Sequence, residues 1–180
     1  MPGIIHTAYF KTTYGELVIG TYDQHLCLCD WRYRKMRGSI DKRIQTGLQA
    51  DYVEGESEII RETRRQLDQY FEGKRKEFDL PLLLLGSDFQ KRVWKELLEI
   101  PFGKTESYAG LSRRLGDQKA IRAVASSNGA NAISIIVPCH RILGSDGSLT
   151  GYAGGLDTKR KLLRLEKAFT QGELDLFGRM

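Results

Sequence analysis

Apolar and polar residues alternate along the first part of the chain, between residues 4 and 31. Tyr14-Gly15 interrupts the alternation as a turn, and residues 17–20 and 26–29 are its most strand-like stretches. Because alternation gives each strand one apolar face, this segment predicts a small antiparallel sheet. Residues 32–55 are polar with weak periodicity, and we expect a loop or a short strand there.

Helical spacing replaces this alternation in the next part of the chain. Residues 56–71 carry apolar side chains three and four positions apart, which predicts a helix that Gly73 ends. Residues 74–85 form a linker in which basic residues precede a leucine run. Ser87 and Gln90 have the spacing of a capping box, and the apolar residues that follow predict an amphipathic helix.

The rest of the chain predicts two short helices, a strand and a closing helix. Residues 108–115 form the first helix, and the second runs from Asp117, its expected cap, to Gly129. Two short helices joined by a tight turn make a helix-turn-helix pattern. Residues 133–137 are rich in β-branched side chains and predict a buried strand, and residues 156–167 predict the closing helix.

Basic charge is concentrated in one segment. The chain has a formal net charge of +5, and its hydrophobic content of 41% is typical of a globular protein. Residues 89–167 hold 14 basic and 7 acidic side chains, whereas residues 1–88 hold 13 and 14. Because a basic surface binds phosphates by releasing their counterions, this segment is a candidate nucleic-acid surface. The alternative is a well-solvated basic domain without a polyanion partner.

The cysteine count and the short apolar runs indicate an intracellular protein. Three cysteines cannot form a fully paired disulfide framework, which favours a reducing compartment. The first nine residues lack the features of a signal peptide. The longest apolar run, residues 80–85, contains Pro81 and is far too short to span a bilayer. We therefore expect a soluble, cytoplasmic protein without a membrane partner.

The helix pair at residues 108–129 predicts either a DNA-binding element or a packing unit, since short helix pairs serve both purposes. The DNA interpretation is favoured because the segment is basic, with Lys119 and Arg122 in or near the second helix. One face of that helix holds small residues, namely Ala120, Ala123, Ala125, Ser126 and Ser127. A helix with so few base-reading side chains favours recognition of DNA shape or backbone.

Pro138-Cys139-His140-Arg141 is the strongest candidate for a reactive centre. A cysteine becomes a nucleophile when a base or a cation stabilises its thiolate, and His140 and Arg141 are both adjacent. A histidine base needs a third group to orient it, and Glu166 is a candidate. The alternative is that Cys139 is a buried structural thiol beside a satisfied histidine.

His25, Cys27 and Cys29 occupy alternate positions of a predicted strand and therefore share one face. Zinc sites usually combine a close cysteine pair with a second, distant pair of ligands. His6 is the only other histidine outside the reactive centre. We prefer a buried strand face to a zinc site here, and we predict no metal.

These elements predict an α/β fold of the α+β kind that divides near Gly86. The N-terminal part combines a small antiparallel sheet with a helix. The C-terminal part is mostly helical, with a helix-turn-helix and a short active-site strand. We expect a supporting domain at residues 1–86, a domain that carries the chemistry at residues 87–170, and a tail at residues 171–180.

Several motifs of the C-terminal part share one order and spacing with a known family. They are Ile100-Pro101-Phe102-Gly103-Lys104, Ser107-Tyr108, Arg122-Ala123-Val124, Asn131, Ile136-Val137-Pro138-Cys139-His140-Arg141-Ile142, Gly151-Tyr152-Ala153-Gly154-Gly155-Leu156 and Glu166. Together they resemble the O6-alkylguanine-DNA alkyltransferases, also called methylated-DNA–protein-cysteine methyltransferases. The resemblance covers about residues 88–167. Residues 1–86 resemble the family's N-terminal domain more loosely, through the early sheet, Asp30-Trp31 and the helix at residues 56–71.

The resemblance implies direct repair of alkylated DNA. Cys139 would take an alkyl group, such as methyl, from O6 of guanine or O4 of thymine and keep it as a thioether, so each molecule would act once. The implied catalytic residues are Cys139, His140, Glu166, Tyr108 and Asn131. His140 and Glu166 would activate the thiol through a water, Tyr108 would donate to the guanine, and Asn131 would hold the turn of the active-site segment.

The resemblance also implies residues that bind DNA and substrate. They are Arg122, Ala123, Tyr108, Arg141, Ile142, Tyr152, Ala153, Gly154 and Gly155. Arg122 would fill the stack left by an extruded guanine, because the alkyl group is unreachable inside the duplex. The backbone N–H of Ala153 would stabilise O6, and residues 152–155 would wall the pocket.

The implied partner is double-stranded DNA containing O6-alkylguanine, bound in the minor groove by a monomer that needs no cofactor. The protein would then associate with the nucleoid, or lie in the nucleus of a eukaryote. Two other hypotheses stay open. One is a non-catalytic DNA-lesion-binding module, and the other is a cysteine hydrolase using Cys139 and His140, although an oxyanion motif is not obvious.

Overall fold

A computed structural model describes residues 1–169. The chain divides into two compact units, Met1–Gly86 and a second unit that begins at Ser87. The predicted tail at residues 171–180 lies outside the described residues. No helix in the described part of the chain is both long and apolar enough to cross a membrane.

The first unit is built on a four-stranded sheet. Its strands are β1 (Gly3–Thr12), β2 (Gly15–Tyr22), β3 (His25–Trp31) and β4 (Ala50–Glu54), in the order β3-β2-β1-β4. The first three strands pair antiparallel, with Ala8 opposite Ile19, which confirms the predicted sheet. β4 pairs parallel to β1, with Ile5 opposite Tyr52.

A helix that the sequence pattern did not predict connects β3 to β4. The expected loop or short strand at residues 32–55 is wrong for its central part, where α1 spans Arg37–Leu48. The signal is weak because the only fully buried apolar side chains of α1 are Ile40 and Ile44 among its described residues, and no side chain caps its start. Tertiary contacts stabilise α1, including ion pairs from Arg37 to Asp30 and Asp41.

The second helix of this unit follows its prediction closely. α2 spans Glu58–Phe71, and the Ser57 hydroxyl caps it by accepting a hydrogen bond from the backbone N–H of Ile60. Gly73 follows the helix with φ of +75°, a left-handed conformation that suits glycine. Buried Leu67 and Tyr70 contribute to the core of this unit.

The second unit is mostly helical, as predicted. Its helices are α3 (Asp88–Leu98), α4 (Tyr108–Arg114), α5 (Ile121–Gly129) and α6 (Leu156–Leu165). Ser87 and Gln90 form the predicted capping box. The indole N–H of Trp94 donates to the Ser127 carbonyl over 2.8 Å, which ties α3 to α5. A two-stranded parallel sheet joins β5 (Glu106–Ser107) to β6 (Ile142–Leu143).

Two local predictions in this unit are wrong. Residues 133–137 are buried but form turns instead of a strand, and Ile135 has φ of +71°. The β-branched composition favours a strand, but the side-chain hydrogen bonds of Asn131 bend this segment. Asp117 is the predicted cap of α5, but α5 begins after Ala120 and has no side-chain cap. The carboxylate of Asp117 instead accepts a hydrogen bond from the Lys119 N–H.

Candidate active site

Cys139 lies at the start of a single 3₁₀ turn, Cys139–Arg141, that leads directly into β6. Its side chain is largely buried, with the residue 6% exposed. The Cys139 N–H donates to the Val137 carbonyl over 2.8 Å, so the cysteine is held against the preceding turn. Because Cys139 and His140 are in a 3₁₀ turn, the opposite-facing arrangement of an extended strand does not apply to them.

Asn131 organises the turn that presents Cys139. Its amide donates to the Val137 carbonyl over 2.9 Å and to the Ile133 carbonyl over 3.3 Å. Its side-chain oxygen accepts from the Ile133 N–H over 2.9 Å. Since Asn131 is buried, these bonds satisfy polar groups that water does not reach. Such a cross-linked turn can hold Ile135 in a conformation that costs a β-branched residue about 1–3 kcal/mol.

His140 and Glu166 form a buried pair. His140 Nε2 lies 2.8 Å from Glu166 Oε1, and both side chains are fully buried. Burial lowers the pKa of His140, although its contact with Glu166 opposes that effect. Burial by itself raises the pKa of Glu166, but hydrogen bonds and charges from His140 and Arg141 outweigh burial and hold it well below its usual range.

These directions define the proton positions in the pair. At neutral pH Glu166 is ionised and His140 is neutral, so the proton of the imidazole lies on Nε2, facing the carboxylate. His140 Nδ1 is then an acceptor. It is buried and has no hydrogen-bond partner among the described residues. The imidazole is therefore oriented as a general base.

Arg141 also anchors Glu166. Its guanidinium donates through Nε to Glu166 Oε2 and through Nη2 to Oε1, each over 2.9 Å, and through Nη1 to the Ile100 carbonyl. Arg141 is only 6% exposed, so its guanidinium serves as an internal anchor, and its expected contact with DNA or substrate stays a prediction. Ile142, also expected to bind DNA or substrate, is fully buried in β6, where its side chain packs in the core.

The parallel pair of β5 and β6 brings a second candidate segment to this turn. Ser107 pairs with Leu143, two residues after Arg141, and Tyr108 follows Ser107 directly at the start of α4. The Ser107 hydroxyl caps α4 by accepting from the Gly110 N–H over 2.9 Å. Tyr108 is half-buried, which leaves part of its side chain open to a ligand.

A buried lysine, which the sequence interpretation missed, holds the glycine-rich loop. Lys159 is fully buried, and its ammonium donates to the carbonyls of Thr150 and Gly151 over 2.7 and 3.3 Å. Burial lowers its pKa to about 8, and the charge of Cys139 acts in the opposite direction. A signal existed, because Lys159 and Glu166 share the apolar face of α6 with Leu162 and Leu163.

The loop itself lies beside the histidine. The ring centroids of Tyr152 and His140 are 6.4 Å apart. Ala153 and Gly154 are half-buried, and Gly155 adopts φ of +90° immediately before α6. Tyr152 is therefore near the candidate base, and the pocket wall at residues 152–155 stays a prediction.

Arg122 and Ala123 lie on the exposed first turn of α5. Arg122 makes no hydrogen bond or ion pair within the described part of the chain, so its guanidinium is available to a ligand. The structure thus brings Cys139, His140, Glu166 and Asn131 into one buried assembly and places the α5 residues on the surface of the same unit.

Cys27 and Cys29 are buried, which confirms the predicted strand face. The Cys27 thiol donates to the Gly20 carbonyl over 3.5 Å, and burial raises its pKa to about 12. Burial also raises the pKa of Cys29. Among residues 1–169, no cluster of three or more His, Cys, Asp or Glu side chains is arranged to hold a metal ion.

Comparison with known proteins identifies one family along nearly the whole chain. Residues 5–84 match the model of the 6-O-methylguanine DNA methyltransferase, ribonuclease-like domain. Residues 88–168 match the model of the 6-O-methylguanine DNA methyltransferase, DNA binding domain.

Individual relatives agree with these matches. A methylated-DNA–protein-cysteine methyltransferase of Methanosarcina barkeri is 52% identical over 126 residues, which cover 70% of this chain and 78% of the relative. The protein of the same name from Methanosarcina acetivorans is 42% identical over 162 residues, covering 90% and 98%. The crystal structure of Mycobacterium tuberculosis OGT in complex with DNA is similar with a TM-score of 0.76 at 39% identity, covering 96% of this chain and 99% of that one.

Proposed function

The chain belongs to the 6-O-methylguanine DNA methyltransferase family, and on this premise we propose that it repairs DNA by moving the alkyl group of O6-alkylguanine onto Cys139. It is a methylated-DNA–protein-cysteine methyltransferase that binds DNA, and we propose double-stranded DNA as its partner. The observation that carries the assignment to Cys139 is the buried contact between Glu166 and His140, the residue that follows Cys139 in its turn. This contact orients a base beside the only cysteine of the second unit.

The chemistry starts with removal of the thiol proton. Glu166 keeps the imidazole proton on Nε2, so His140 Nδ1 accepts the Cys139 proton through a bridging water. The thiolate then attacks the alkyl carbon, forming an S–C bond while the C–O6 bond breaks. The departing guanine takes up a proton, with Tyr108 as donor and the Ala153 N–H as a hydrogen-bond donor to O6.

The product explains why each molecule acts once. A thioether has no good leaving group, so neither water nor cellular thiols restore Cys139. The new S–C bond replaces the C–O6 bond, and Tyr108 supplies the proton that the departing guanine takes up. The transfer therefore requires no cofactor. O4 of thymine presents the same alkyl–oxygen bond, and we include it as a substrate.

DNA recognition is assigned to the helix-turn-helix formed by α4 and α5. Exposed small residues let α5 approach the minor groove closely, where the pattern of donors and acceptors carries little sequence information. Arg122 and Ala123 would contact the duplex there. The guanidinium of Arg122 would take the place of the extruded guanine, because the O6 substituent must leave the base stack to reach Cys139.

The two units divide the work in this proposal. Residues 1–86 support the fold, and residues 87–170 bind DNA and carry out the transfer. The second unit of one chain contains every proposed catalytic group, so we propose that the protein acts as a monomer. Because the substrate is chromosomal DNA, we place the protein inside the cell, at the nucleoid or in a nucleus.

Peptide mass spectrometry of the protein after reaction with damaged DNA tests this function. The protein is incubated with duplex DNA carrying O6-methylguanine and digested, and the masses of its peptides are then measured. We expect one added methyl group on the peptide that contains Cys139, and none in a Cys139→Ala variant. Cys27→Ala is the matched control, because Cys27 lies in the first unit and burial raises the pKa of its thiol to about 12. This variant should be methylated at Cys139 like the parent protein.

Two results would overturn the proposal. Methyl label retained by the Cys139→Ala protein would move the chemistry to another residue. Tight binding of the lesion with the base left intact would instead identify a non-catalytic lesion-binding module.

A further inference from the structure

α5 exposes one large apolar side chain among small ones. Ile121, at its first position, is 40% exposed. Apart from Arg122, the other exposed residues of α5 are small, namely Ala123, Ala125, Ser126 and Gly129. A single exposed apolar residue is ordinary on a protein surface, so the exposure of Ile121 is informative only together with its position beside Arg122 on the proposed DNA-binding helix.

The surroundings of Ile121 favour a polyanion as that partner. Residues 111–130 contain a single acidic side chain, Asp117. The same segment holds four exposed basic side chains, Arg113, Arg114, Lys119 and Arg122. A surface that binds another protein usually has an apolar core of several residues. A single apolar residue within a basic surface is better suited to the phosphate-lined groove of a DNA duplex.

Helix geometry places Ile121 beside Arg122 in such a groove. Successive residues of a helix are about 100° apart, and residues four apart lie one above the other. Ile121 and Ala125 therefore form one exposed row, and Arg122 and Ser126 form the adjacent row. When the small residues of these rows approach the floor of the groove, both long side chains of the first turn project into the duplex together.

We propose that Ile121 is an apolar wedge that packs against the base step next to the nucleotide extruded by Arg122. Minor-groove proteins insert isoleucine and similar side chains between base pairs and thereby unstack them. Ile121 holds the duplex open while Arg122 occupies the vacated stack. This inference rests on the proposed function of α5 as the DNA-binding helix.

Rate measurements on two substrates test the wedge. The Ile121→Ala protein reacts with duplex DNA containing O6-methylguanine and, separately, with free O6-benzylguanine, which needs no base extrusion. We expect a loss of about three- to tenfold on the duplex, the size expected when part of an isoleucine side chain loses its burial, and an unchanged rate on the free base. Ile121→Leu should retain the duplex rate, because leucine also serves as a wedge.

The salt dependence separates a wedge from a phosphate contact. Removing a basic contact lowers the slope of log affinity against log salt by about one, whereas removing an apolar wedge leaves it unchanged. We expect Ile121→Ala to weaken binding of lesion-free duplex with the wild-type slope. Leu98→Ala is the matched control, since Leu98 is also 40% exposed in the same unit but lies on α3, and it should behave like the wild type.

The outcomes distinguish the wedge from the function on which it rests. A duplex rate and duplex affinity equal to wild type in Ile121→Ala would overturn the wedge, as would equal losses on the duplex and on free O6-benzylguanine. If the wild-type protein transfers no methyl group, the proposed function fails, and the duplex affinities still decide whether Ile121 enters DNA.

Discussion

The turn before Cys139 should depend on the side chain of Asn131 more than on any other single group. Replacing Asn131 by alanine removes the three hydrogen bonds described above, one accepted from the Ile133 N–H and two donated to the carbonyls of Ile133 and Val137. The two carbonyls keep a second partner, because they also accept from the N–H groups of Val137 and Cys139. Among the hydrogen bonds of the described residues, the Ile133 N–H is the group that loses its recorded partner.

The magnitude follows from this difference. A buried donor that loses its partner costs about 1–3 kcal/mol, and each hydrogen bond lost by a group with another partner costs about 0.5–1.5 kcal/mol. Asn131→Ala should therefore lower the free energy of unfolding by about 2–6 kcal/mol. The turn also holds Ile135 in a strained conformation, so its relaxation should move Cys139 and slow its alkylation.

Two measurements check this prediction. Urea unfolding followed by the fluorescence of Trp94, in a Trp31→Phe background, reports on the second unit alone. The rate of reaction with free O6-benzylguanine reports on the presentation of Cys139 without DNA. Asn128→Ala is the matched control, because Asn128 is also buried but its side-chain oxygen has no hydrogen-bond partner among the described residues.

We expect Asn128→Ala to remain within about 1 kcal/mol of the wild type, since no paired group is broken. If Asn131→Ala unfolds at the same urea concentration as Asn128→Ala and reacts equally fast, the turn does not depend on Asn131, and the reasoning from its hydrogen bonds fails.

Two further predictions concern charge. Glu166→Gln should lose about 3 kcal/mol at neutral pH, because the buried Arg141 is left without its carboxylate. Since the native pKa of Glu166 lies below its ordinary value of 4.5, wild-type stability should fall as the pH drops below that value, and urea titrations should find a flatter profile in the variant. Burial lowers the native pKa of Lys159 from 10.5 to about 8, so the unfolded chain binds the proton of this ammonium more tightly than the native protein does. Wild-type stability should therefore increase as the pH is raised from about 8 to about 10.5. Lys159→Met should lack that rise, and an equal slope in the two proteins would contradict the buried position of the ammonium.

Local patterns in the sequence were sufficient where the determining groups are close along the chain. The capping box of α3 depends on Ser87 and Gln90, three residues apart, and it forms as predicted. The strands β1 to β3 follow from alternation, because each apolar face needs only its own strand to define it. The assignment of Cys139, His140 and Glu166 to one site came from motif spacing, and the structure brings the last two into contact.

Other features depend on groups that are distant in sequence. α1 has few apolar positions of its own, and ion pairs with Asp30 stabilise its first turn. Arg141 has the charge of a DNA-binding residue, but Glu166 and Ile100 bind its guanidinium inside the unit. Lys159 is likewise of a residue type that usually lies at the surface. Its ammonium is nevertheless buried and donates hydrogen bonds to the carbonyls of a loop eight and nine residues away.

The sequence by itself determined the family and most helices and strands, because motif spacing and short-range periodicity record them directly. It also supplied Cys139 as the proposed reactive cysteine. Only the tertiary structure decided which charged side chains face water and which are buried. That choice depends on whether partners from other segments offset the loss of hydration, and no local pattern contains this information. Residues 133–137 illustrate the same limit, since β-branched residues that favour a strand are bent into a turn by the side chain of Asn131.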